Sequence, residues 1–126
     1  MDEVLELEIE ATPRSSTRAR RAVAAWLTSK AFPERHIDDW LLIVSEVVTN
    51  AVVHARTPTR IVVRWDGVRV LVEVFDGMAH LLPKLLDDLP AVGGRGLFLI
   101  DRLSSAWGVE TFPDGKCVWA RLETST

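Results

Sequence analysis

The chain has 126 residues, a net charge of −3 and 48% apolar residues including five Trp, which suffices for one domain with its own core. The mildly acidic balance excludes a global basic field for holding nucleic acid, and no run reaches the roughly 20 apolar residues of a membrane helix. Cys117 is the single cysteine, so no internal disulfide can form, and a reducing compartment suits the chain. The acidic, alternating start Met1–Glu10 lacks the pattern of a signal peptide, so a cytoplasmic location is expected.

Leu5, Leu7 and Ile9 alternate with Glu6, Glu8 and Glu10, the period of a strand with one apolar and one acidic face. Thr12-Pro13 offers a capping hydroxyl and a first-turn proline. Ala19, Ala22, Val23, Trp26 and Leu27 then form the stripe of an amphipathic helix, with Arg14, Arg18, Arg20 and Arg21 largely off it. Phe32-Pro33 breaks this pattern. A second helix is expected from near Glu34 to about Ala55, with Trp40, Ile43, Val44, Val47, Val48, Ala51 and Val52 on its apolar arc and Thr57-Pro58 at its end.

Ile61–Trp65 and Val68–Phe75 are β-branched runs joined by Asp66-Gly67, a hairpin signal. Residues 78–92 have no clear period. Gly93-Gly94-Arg95-Gly96 precedes a helical segment, Leu97–Leu103, and the strands Trp107–Phe112 and Lys116–Glu123 flank a Pro113-Asp114-Gly115 turn. The order β-α-α-β-β-loop-α-β-β predicts one α+β domain over residues 1–126. Its expected form is a two-layer sandwich, with a mixed, mostly antiparallel sheet and helices on one face.

Three places can carry chemistry. Glu46, Asn50 and His54 are four apart, so they span only about 80° of a helix. A carboxylate and an amide oxygen one turn apart suit a hard cation, and the carboxylate could instead accept a proton; a solvated helix flank is the plain alternative. Asp76 ends a strand before Gly77 and can accept hydrogen bonds from a ligand amine, although Asp-Gly is also a common turn pair. The glycines at 93, 94 and 96 stand before a helix, where backbone amides and the dipole favour an anion. They equally suit a hinge.

The succession of these motifs resembles the ATP-binding domain of the GHKL superfamily, the Bergerat-type fold of gyrase, heat-shock chaperones, histidine kinases and MutL. More closely, it is similar to the small RsbW-like serine kinases that act as bacterial anti-sigma factors. Leu42–Ala55 looks like their asparagine box, Asp76 matches the aspartate of the first glycine box, and Gly94-Arg95-Gly96-Leu97 matches the second. Trp107-Gly108-Val109 and Gly115-Lys116-Cys117-Val118-Trp119 look like the closing strands. The family's first box usually reads Asp-x-Gly-x-Gly, where this chain has Asp76-Gly77-Met78-Ala79-His80.

The resemblance implies ATP and Mg²⁺ as ligands. Asn50 would coordinate the metal, and Glu46 would orient or deprotonate a serine hydroxyl of a partner protein. Asp76 would bond the adenine amino group, with Gly77, Gly93, Gly94, Arg95, Gly96 and Leu97 completing the nucleotide site. Residues 78–92 would form a lid. The implied partners are a sigma factor and a STAS-domain antagonist, with homodimer formation through the first strand or helix a family expectation; direct contact with nucleic acid or membrane is not expected. A non-enzymatic interaction module on the same fold is the alternative, followed by a hydrolase or metal enzyme built on Glu46 and His54.

Overall fold

The computed structural model describes residues 3–10, 12–30, 32–50, 58–77 and 100–123. Strands β1 (Glu3–Ile9), β2 (Thr59–Trp65), β3 (Arg69–Asp76), β4 (Ala106–Phe112) and β5 (Gly115–Glu123) form one sheet, in the order β1-β2-β3-β5-β4. Every pair of neighbours is antiparallel. Helices α1 (Pro13–Ser29) and α2 (Ile37–Asn50) pack on each other, with α1 against β1 and α2 against β3 and β5. The result is the expected α+β sandwich.

Alternation along the strands selects the covered face. Ile61, Val63, Trp65, Val70, Val72, Val74, Val118, Ala120 and Leu122 are buried in one cluster with Ala19, Val23 and Leu27 of α1 and Trp40, Ile43, Val44, Val47 and Val48 of α2. Fully burying one such aliphatic side chain stabilises the fold by roughly 1.5–3 kcal/mol. Phe32, in the link between the helices, meets Trp65 edge to face with ring centroids 5.0 Å apart.

Local departures from the expected elements have local causes. The second helix starts later than the pattern suggests, because Glu34–His36 forms a 3₁₀ turn after Pro33 and α2 proper begins at Ile37; residues 51–55 lie outside the described chain. Pro13 does occupy the first turn of α1, but Thr12 makes no side-chain cap bond. Its hydroxyl lies 3.0 Å from that of Ser15 instead. Residues 100–103 are helical, the described part of the segment expected over Leu97–Leu103.

Candidate functional site

Two Asp-Gly pairs punctuate the sheet, and the structure gives them opposite surroundings. Asp66 is fully exposed and turns back on its own hairpin, accepting hydrogen bonds from the amides of Val68 at 2.8 Å and Arg69 at 2.7 Å. Gly67 takes the positive φ of 95° that this tight turn requires. The amides of Arg69 and Val68, with Arg69's charge a smaller cause, hold the Asp66 carboxyl below its ordinary value. This is a turn aspartate.

Asp76 is not. As the last residue of β3 it shares the phase of Val70, Val72 and Val74, so its side chain lies on the helix-facing side of the sheet. Its side chain is 0% exposed, and the ammonium of Lys116, 3% exposed, lies 2.8 Å from Oδ2 and 3.0 Å from Oδ1. The register makes them direct partners, with Asp76 opposite Lys116 and Val74 opposite Val118. A charged pair withdrawn from water at the end of an apolar sheet is costly. That favours a binding role over a turn role for Asp76.

Gly115 makes this approach possible. A Cβ built there would stand 2.2 Å from the carbonyl oxygen of Asp76 and 3.3 Å from the Cα of Gly77. Only glycine lets the start of β5 lie this close to the end of β3. A cleft of about 320 Å³ opens at these strand ends, lined among others by Asp76, Lys116, Arg60, Phe75 and Phe112. The Arg60 guanidinium lies 4.8 Å over the Phe75 ring, a cation–π contact that fixes one wall.

Glu46 is half-buried on α2 between the buried Val44 and Val47, and α2 packs on β3 and β5, the strands that carry Asp76 and Lys116. Asn50 is the last described residue of α2, one turn beyond Glu46, so the backbone supports the expected spacing; its side chain is outside the described residues. Gly77 follows Asp76 in an exposed bend. Gly93, Gly94, Arg95, Gly96, Leu97, His54 and the expected lid over residues 78–92 also lie outside the described residues. Among those that are described, no three His, Cys, Asp or Glu side chains gather into a metal site.

Lys116 is the partner of Asp76 that sequence reasoning quoted but did not assign. The run Lys116–Leu122 alternates Lys, Val, Ala, Leu with Cys, Trp, Arg, and neither phase is uniformly apolar. Only pairing with β3 decides that Lys116 shares a face with Asp76. Cys117 takes the opposite face, and burial, followed by Glu73 and Glu110, pushes its thiol up to about 12, which disfavours the reactive thiolate at neutral pH.

The description "Histidine kinase-like ATPase domain" belongs to a family model that matches residues 9–122. No curated protein matches the chain in sequence. Among solved structures, the fold is similar to a crystal structure of the RsbU and RsbW domains of Rv1364c from Mycobacterium tuberculosis, with a TM-score of 0.67 and 20% identity over 95% of this chain. That likeness is one of fold, and this chain spans 32% of the larger protein's length.

Proposed function

The chain belongs to the histidine kinase-like ATPase domain family, and on that premise we propose that it is an ATP-binding serine/threonine protein kinase of the anti-sigma-factor kind. It regulates transcription by holding a sigma factor and by phosphorylating a STAS-domain antagonist. The observation that carries the nucleotide reading is Asp76, a carboxylate withdrawn from water at a strand end under the helix layer. Such a group suits a buried amino donor of a base far better than it suits a solvent-exposed turn.

The other residues fit the same ligand chemically. Asn50, one helical turn beyond Glu46 on α2, offers an amide oxygen of the hard donor type that Mg²⁺ accepts. Bound there, the metal supplies charge neutralisation for phosphate oxygens. Glu46 orients the serine hydroxyl of the antagonist and takes its proton as the γ-phosphoryl group passes to the serine oxygen and ADP departs. The amides of Gly93, Gly94 and Gly96, with Arg95, complete the phosphate site. Phosphoryl transfer rests on positioning and charge neutralisation, and nothing in this scheme needs a covalent intermediate on the protein.

The first experiment is calorimetric titration of ATP, with and without Mg²⁺, into the wild type and Asn50→Ala. Magnesium-dependent binding that the substitution removes is expected. Absence of binding at millimolar ATP overturns the nucleotide reading.

A second reading has an observation in its favour: Lys116 already neutralises Asp76, which suits a domain that binds regulators without turnover. Labelled ATP separates the two. A kinase transfers its γ-phosphoryl group to a STAS-domain antagonist, and Glu46→Ala abolishes transfer while sparing ATP binding. A non-catalytic module transfers nothing even when ATP binds.

A further inference from the structure

We propose that Lys116 is the second base-reading group of the site, donating to the ring nitrogen N1 of adenine beside the amino group accepted by Asp76. The inference rests on the nucleotide reading above and adds to it a residue and a specificity. The Watson–Crick edge of adenine presents a donor, the 6-amino group, immediately next to an acceptor, N1. A protein that reads this edge must place an acceptor and a donor side by side.

The Asp76–Lys116 pair does so. Its carboxylate oxygens and ammonium nitrogen lie 2.8–3.0 Å apart, side by side on one face of adjacent strands. An ammonium carries three donors, so Lys116 can keep its ion pair and meet the base at the same time. Guanine presents the reverse order at these positions, an acceptor at carbon 6 and a donor at N1. With Asp76 committed to position 6, guanine sets oxygen against carboxylate and N–H against ammonium. Inosine fails for the same reason.

Two further observations support a reading role over simple charge compensation. Buried ion pairs are commonly matched or bettered in stability by apolar residues of similar volume, so sealing the strand ends does not by itself require one. Both side chains are also almost wholly withdrawn from water. A bond that the base fails to make there has no solvent replacement, which turns a single missing ring nitrogen into a measurable loss.

The test is a calorimetric cycle with three ligands: ATP, 1-deaza-ATP, which keeps the amino group and replaces N1 by C–H, and 7-deaza-ATP as a control on the far side of the ring. For the wild type, 1-deaza-ATP is expected to bind roughly 10–150-fold more weakly than ATP, the range for a hydrogen bond to a charged group. The 7-deaza analogue should stay within about threefold, and GTP should bind at least as weakly as 1-deaza-ATP. In Lys116→Met the 1-deaza penalty should collapse to within about twofold, since the partner atom is gone. Equal binding of ATP and 1-deaza-ATP by the wild type overturns the proposal, as does GTP binding on a par with ATP. An undiminished penalty in folded Lys116→Met overturns it too. If that variant does not fold, the wild-type comparison alone decides. Failure of ATP itself to bind overturns the nucleotide reading with it, an outcome distinct from the others.

Discussion

Removing one member of the Asp76–Lys116 pair should destabilise the domain far more than removing both. In Lys116→Met the buried carboxylate loses a cation at 2.8 Å, and removing one member of a buried ion pair costs about 3–5 kcal/mol. Against a typical total stability of about 5–15 kcal/mol, that is enough to shift a urea midpoint conspicuously. Asp76→Asn takes the carboxylate charge from the buried ammonium and should cost a similar amount. The double variant Asp76→Asn/Lys116→Met buries no charge and should recover most of the loss, leaving a coupling of several kcal/mol, larger than either single-variant loss. Urea unfolding at pH 7, followed by far-ultraviolet circular dichroism, measures all four proteins. Repeating the set in high salt should change little, because counterions screen a sealed pair poorly. Single losses below about 1 kcal/mol that simply add in the double variant would refute the reasoning, since that is how solvent-exposed pairs behave.

Other perturbations follow from the same packing. Gly115→Ala puts a methyl group 2.2 Å from the Asp76 carbonyl. It should cost at least about 1–3 kcal/mol, the usual penalty of forced overpacking, and weaken ATP binding, read by thermal melting and calorimetry. Ile43→Ala, which truncates a fully buried side chain of α2, should cost about 2–5 kcal/mol in urea unfolding without altering the stoichiometry of ligand binding. The Cys117 thiol, raised from 9.0 to about 12 by burial, should resist Ellman's reagent at pH 8 in the native protein and react on unfolding. Because its folded value is the higher one, its contribution is fully present below pH 9 and is lost as pH rises towards about 12. Asp66 has the opposite sign. Its folded value lies below 3.8, so the contribution of its turn is present above that pH and is lost in more acidic solution. Asp66→Ala should remove this acid-limb dependence.

Much of the architecture was legible because periodicity is a direct imprint of which side of an element meets the core. The alternation Leu5, Leu7, Ile9 gave β1 its phase, and the stripe through Trp40, Ile43, Val44, Val47 and Val48 became the buried face of α2. Asp66-Gly67 marked the hairpin since its turn needs only those neighbours. Pairings between distant segments left no such mark. Nothing local announces that β5 lies between β3 and β4, and the mixed character of Lys116–Leu122 allows either phase. The roles of Asp66 and Asp76 were equally hidden, for both precede glycine at a strand end. Burial on a shared face with Lys116 separates them, and burial is a property of the assembled sheet. For the same reason Glu46 and Asn50 could be named as candidates from spacing along one helix, whereas the pairing of Lys116 with Asp76 needed the register of two strands.

The sheet order carries a consequence for how the protein is made. β5, the latest of the described strands to leave the ribosome, is hydrogen-bonded on both sides, to β3 and to β4. Until it emerges, the edge of β3 that it will cover is open, with Leu71, Val72, Val74 and Phe75 along that strand. Nascent chains that stall before residue 115 therefore display an uncapped apolar edge, the kind that recruits other strands. The strand that shields this edge in the finished protein is also the one that delivers Lys116 to Asp76. Sheet closure and formation of the buried Asp76–Lys116 pair are thus one event in biosynthesis.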